Sequence, residues 1–104
     1  MWQTITLSFL GGLVAGNALP HFIRGITKRP YPNVMGNGPL PNLISGWLGL
    51  VLGAGLLWRS DIPAHPAAAF AASATGLLLI GLFHAGPGAF GRKATTEAPP
   101  SVGR

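Results

Sequence analysis

Apolar side chains run along this chain in three long stretches, each closed off by charge or by proline and glycine. Charge is absent from residues 2–23, which end at Arg24, and from residues 40–58, which end at Arg59. It is absent again from residues 66–85, between Asp61 and the run Gly86-Pro87-Gly88. About 20 mostly apolar residues, each rising roughly 1.5 Å, carry a helix across the hydrocarbon core of a bilayer. The pattern therefore predicts an all-α membrane protein, a bundle of three transmembrane helices over 2–23, 40–58 and 66–85. The third stretch opens on alanine (Ala67, Ala68, Ala69, Ala71, Ala72, Ala74) and is expected to be the least hydrophobic. Residues 30–42 hold four prolines and two glycines, and the expectation there is a loop with no helix. That loop reads as a stiff connector or as a shaped cap over one end of the bundle.

Composition narrows the class. Charged residues make up 9% of the 104 and hydrophobic residues 48%, with a mean hydropathy of +0.43. A small soluble domain needs a charged surface, and this chain has too few charges to cover one. Gly (16) and Pro (10) are abundant, but the remainder is too apolar for general disorder. Residues 1–93 are taken as one transmembrane domain and residues 94–104, small and polar, as a disordered tail. Cysteine is absent, which removes disulfides, thiolate metal sites and a Cys nucleophile. No Lys or Arg precedes the first stretch, and Ala15-Gly16-Asn17-Ala18 fits a cleavage site poorly, so it is read as a span.

The net charge of +5 sits in short clusters between apolar runs rather than along a polar face, so a nucleic-acid partner is not expected. Lys and Arg gather on the cytoplasmic side of membrane proteins. The first loop carries Arg24, Lys28 and Arg29, and the tail carries Arg92, Lys93 and Arg104. Three spans place that loop and the tail on one side. The expected orientation is N-terminus outside and C-terminus in the cytoplasm of a cell membrane, in composition a bacterial inner membrane. Trp2 and Trp58 then fall at the outer interface, and Tyr31 and Phe90 near the inner one.

Small residues at four-residue spacing allow helices to approach closely in lipid. The first span has Gly12 and Gly16, the second Gly49 and Gly53, the third Ala68, Ala72 and Gly76. Pro20 is expected to kink the first helix.

No Asp or Glu falls in any span, which argues against ion-coupled transport and most acid–base catalysis. Asp61, before Ile62-Pro63, reads as a helix cap or turn residue. His21 and His84 lie near the inner ends of the first and third helices. Asn17 shares a face with His21 at the i,i+4 spacing, Arg24 is within a turn, and Asn42 opens the second helix at the same level. Asn17, His21, Arg24, Asn42 and His84 thus form one candidate polar layer, from which His65 is excluded. These groups suit interfacial bonding to loops and headgroups, or a ligand site in which two histidines hold a haem or hydrogen-bond a quinone. Two histidines without carboxylate or Cys support make a poor zinc site, and no metal is expected. No Gly-x-Ser-x-Gly, His-Glu-x-x-His or P-loop occurs.

The stretch Asn17-Ala18-Leu19-Pro20-His21-Phe22, followed by the Pro/Gly-rich loop and Asn42, resembles small uncharacterised bacterial inner-membrane proteins with an Asn-x-x-Pro-His-Phe helix end. That resemblance spans about the first half of the chain and implies location, not activity. The length is similar to that of small multidrug exporters, but those have four spans and an intramembrane Glu. The function expected is a non-catalytic accessory or assembly subunit of a membrane complex, with other subunits or a second copy as partners in the bilayer. The alternatives are a binder of haem, quinone or another lipophilic ligand through His21 and His84, and a small oligomeric transporter or channel. An enzyme is not expected.

Overall fold

Where water is excluded, a run of Leu, Ile, Val, Ala and Gly has one cheap way to satisfy its backbone groups, which is to bond them within a helix. The structure, a computed structural model, describes residues 1–86. It contains three α-helices: α1 Trp2–Ile26, α2 Pro39–Trp58 and α3 Pro66–Ala85, with one turn of 3-10 helix at Ile62–Ala64. All three α-helices are long and apolar enough to cross a membrane, and the described residues contain no strand. Phe90 and the tail expected to be disordered over 94–104 lie outside the described residues. The expectation about hydrophobicity is corrected. Leu77, Leu78, Leu79 and Ile80 give α3 the highest mean hydropathy of the three, and α1 has the lowest.

The helix ends show local chemistry that composition does not reveal. α1 continues past Arg24 and closes on a Schellman arrangement. The Lys28 amide donates to the Gly25 carbonyl at 3.2 Å and the Arg29 amide to the Arg24 carbonyl at 2.8 Å. Lys28 occupies the left-handed position that glycine usually takes, with φ 59°. Helix is not excluded from the whole of residues 30–42, because α2 begins at Pro39. Pro39 and Pro41 lie in the first turn, where a helix has no acceptor for their missing amides. Pro20 is inside α1, which remains helical through it. Asp61 makes no capping hydrogen bond with its side chain; its backbone turns left-handed (φ 58°) to start the 3-10 turn.

The helices do not close into a triangle. α1 packs extensively on both α2 and α3, whereas α2 and α3 barely meet among the described residues. Two different faces of α1 make these contacts. One face packs on α2: a Cβ at Gly25 or Gly46 would strike Leu43 or Phe22, and one at Gly49 or Gly53 would strike Ala18 or Ala15. The other face packs on α3: a Cβ at Gly12 would overlap the Ser73 carbonyl, one at Gly16 the Leu77 and Ile80 side chains, and one at Gly76 the Phe9 carbonyl. Gly12, Gly16, Gly49, Gly53 and Gly76 therefore all serve contacts within this chain. Ala72 lines a shallow groove between α1 and α3 beside Ile5 and Phe9. Gly11, Gly25 and Gly46, which the four-residue spacing misses, are buried on the α1–α2 side.

Candidate functional site

Asn42 is the centre of the polar layer. It sits in the first turn of α2, where the backbone amides have no helical acceptors and the loop 27–38 folds back over the helix end. Its side chain is fully buried. The Asn42 Nδ2 donates to the backbone carbonyls of Tyr31 (3.0 Å), Asn37 (3.2 Å) and Gly38 (2.9 Å). Three carbonyl acceptors fix the orientation of the amide, because its oxygen would be repelled there. Oδ1 must then face the other way, where it lies 2.6 Å from Nδ1 of His21. An amide oxygen only accepts, so His21 Nδ1 carries a proton and donates it. When His21 is neutral, its Nε2 holds a free lone pair.

His84 follows the same rule. Its Nδ1 lies 2.9 Å from the Ile80 carbonyl and donates to it. The residue linking the two histidines is Tyr31. Its ring is edge-on to His21 at 5.1 Å and stacked near His84 at 6.4 Å with an interplanar angle of 12°. The Arg24 guanidinium sits 5.2 Å from the centre of the Tyr31 ring, within cation–π reach. Burial of Tyr31, only 7% exposed, pushes its phenol pKa above the usual value, and the positive charge of Arg24 acts in the opposite direction. The Tyr31 ring is buried within the protein at this end of the helices, and its own amide bonds Asn37 O at 3.0 Å.

His21, Arg24, Asn42 and His84 therefore gather around Tyr31. Asn17 does not join them. It is exposed on α1 and has no hydrogen-bond partner among the described residues. Beside it is a pit of 270 Å³ between α1, α2 and the loop, with His21, Asn33 and Ser45 in its walls. Asn33 Nδ2 donates to Ser45 Oγ at 3.0 Å, and Ser45 Oγ lies 3.1 Å from the Met35 sulfur. Gly36, at φ 127°, turns the chain so that residues 33–35 form the roof. Among the described residues no three His, Asp or Glu side chains come together as a metal ion would require.

Several contributors were hidden in the sequence. Asn33, Asn37 and Ser45 read as ordinary loop and helix residues, although the density of Asn between prolines is a turn signal that points to side-chain bonding. At the opposite end of α1, Thr4 and Ser8 are buried, and Ser8 Oγ has no partner. There Gln3 Nε2 reaches the Arg59 carbonyl at 2.8 Å, and Ser60 Oγ bonds Leu57 O at 2.7 Å. Compared with known proteins, the chain matches no family model, no curated protein and no solved structure.

Proposed function

We propose that this chain is a multi-pass protein of the cell membrane, with its N-terminus outside and C-terminus inside, acting as a non-catalytic accessory or assembly subunit of a membrane complex. The observation that carries this reading is the use made of the polar groups. Asn42 and His21 Nδ1 are engaged in tying the loop to the ends of α1 and α2, and His84 Nδ1 is engaged by the Ile80 carbonyl of its own helix, so these groups do not converge on a reacting centre. The open arrangement supports it too. Among the described residues α2 and α3 each pack mainly on α1 and barely on each other, and Trp47, Leu48, Val51 and Leu52 of α2 and Leu78, Leu79 and Leu82 of α3 stay exposed. Lipid or neighbouring subunits cover such faces.

Native mass spectrometry after gentle extraction from the protein's own membranes tests the proposal. The expected result is a defined assembly with other membrane subunits. A bare homo-oligomer that moves solute across reconstituted vesicles would replace this reading with the transporter one.

The ligand reading keeps one specific support, the pit beside His21. Its walls do not include His84, and Tyr31 packs against both imidazoles. That geometry favours a ligand on His21 alone over a haem bridged between the two histidines.

A further inference from the structure

Asn17 poses a physical problem. It lies nine residues before the end of α1, hence roughly 13 Å inside it at about 1.5 Å per residue. On the bilayer placement proposed above, that depth is within hydrocarbon. An amide carried there without a hydrogen bond is strongly disfavoured, because nothing in hydrocarbon replaces the bonds it loses to water. Asn17 is exposed and unpartnered within the described chain, so its partner comes from outside.

The surroundings of Asn17 indicate what kind of partner. It lines the 270 Å³ pit, whose lower walls are apolar (Val14, Leu48) and whose upper part is polar (His21, Asn33, Ser45). The His21 ring is held in one tautomer by Asn42, which leaves Nε2 as a hydrogen-bond acceptor. That nitrogen has no partner among the described residues and is not sealed from its surroundings. One acceptor and one amide, which both donates and accepts, are thus arranged along the same wall one helical turn apart. The cavity is too small for another helix, whose diameter with side chains is about 10 to 12 Å. A helix of a second copy therefore does not enter it.

We propose that this pit binds the head of a membrane-soluble molecule bearing a hydroxyl group. The hydroxyl donates to His21 Nε2, an oxygen of the same head accepts from the Asn17 amide, and the apolar body leaves past Val14 and Leu48 into the acyl chains. A lipid-soluble hydroquinone and a diacylglycerol both offer that chemistry. The site rests on the bilayer placement and not on the accessory role.

The test uses the full chain in nanodiscs of phosphatidylcholine, titrated with an alkyl hydroquinone, its dimethyl ether and a diacylglycerol, and followed by the 15N resonances of His21. Saturable binding of the hydroquinone or the diacylglycerol, shifting His21 Nε2, is expected; whichever binds more tightly identifies the source. The dimethyl ether has no hydroxyl to donate and should bind at least 10-fold more weakly than the hydroquinone. Asn17→Leu, which removes no internal hydrogen bond, should weaken binding at least 10-fold with the melting temperature unchanged. His21→Phe should abolish it, and Asn17→Leu keeps the test valid if His21→Phe fails to fold. Equal partitioning of all three probes, or binding indifferent to Asn17→Leu, would overturn the proposal. So would loss of a homo-oligomer in Asn17→Leu, since that would make the partner of Asn17 another copy. A failed accessory role would instead show as the absence of co-purifying subunits, which leaves these titrations unaffected.

Discussion

A single amide fixes the loop end of this molecule. The Asn42 side chain reaches three carbonyls and one imidazole, and no other side chain in the first turn of α2 reaches them. Asn42→Leu keeps the branched shape but leaves the Tyr31 carbonyl and His21 Nδ1 without a partner, while the Asn37 and Gly38 carbonyls keep their backbone donors; each group left unpaired costs about 1 to 3 kcal/mol. Thermal unfolding in detergent should show that loss, and Asn42→Asp should be no better, because it places an acceptor against three acceptors. A melting temperature unchanged in both variants would show that the network is ornamental. Tyr31 offers a second residue-scale test, since it is the sole tyrosine. Its pKa is raised by burial, so the folded state holds the phenol proton more tightly than the unfolded chain does. The associated stability is fully present below the ordinary phenol pKa of about 10 and is lost as pH climbs through the higher folded value. Phenolate absorbance should give a midpoint above about 10 in the folded protein, and a midpoint at or below it would contradict the buried placement.

Helix contacts are where close backbone approach matters. Gly76 and Gly46 meet backbone atoms of α1, whereas a Cβ at Gly81 would enter open space. Gly76→Val and Gly46→Val should each cost about 1 to 3 kcal/mol by forcing the helices apart, and Gly81→Val should be nearly silent. Unfolding midpoints in sodium dodecyl sulfate titrations separate the three; equal effects at Gly76 and Gly81 would defeat the packing scheme. The apolar runs made the three helices legible because length and lack of charge alone decide them. The glycines were legible only in part. Gly12 and Gly16 repeat at four residues, but the α1–α2 seam steps through Gly46, Gly49 and Gly53, mixing intervals of three and four. In the candidate site, His21, Arg24 and Asn42 were legible from helix spacing. Tyr31 was not, because proline-set loop geometry, not periodicity, carries its ring inward. The buried Thr4, Ser8 and Ser60 escaped for a related reason: a small hydroxyl side chain fits inside the packing without breaking the apolar pattern, whether it bonds a nearby carbonyl as Ser60 does or has no partner as in Ser8.

For the whole molecule, the proposed membrane placement makes the charges set orientation, and α1 decides cohesion. Arg24, Lys28 and Arg29 stand together on the loop between α1 and α2 with no acid among them. Replacing all three with neutral residues should invert or scramble the topology. The chain has no native Cys, so single cysteines placed in that loop and near residue 62 report sidedness cleanly. A labelling map unchanged by the triple substitution would mean that another feature sets the orientation. Arg24→Gln alone would also remove the cation over Tyr31, so the labelling should be paired with the tyrosine titration.

The central position of α1 also has a temporal side. It is the least hydrophobic of the three helices and the first to be made. With translation adding about 5 to 20 residues per second, α1 waits for seconds before α2 is complete and longer before α3 follows. During that interval both of its glycine-lined faces, and His21, have no protein to meet. Because each later helix docks on its own face of α1 and neither needs the other, the order of synthesis becomes the order of packing. On the proposed membrane placement the newborn α1 is the vulnerable element, and the arrival of Asn42 beside His21 gives it its first polar tie to the rest of the chain.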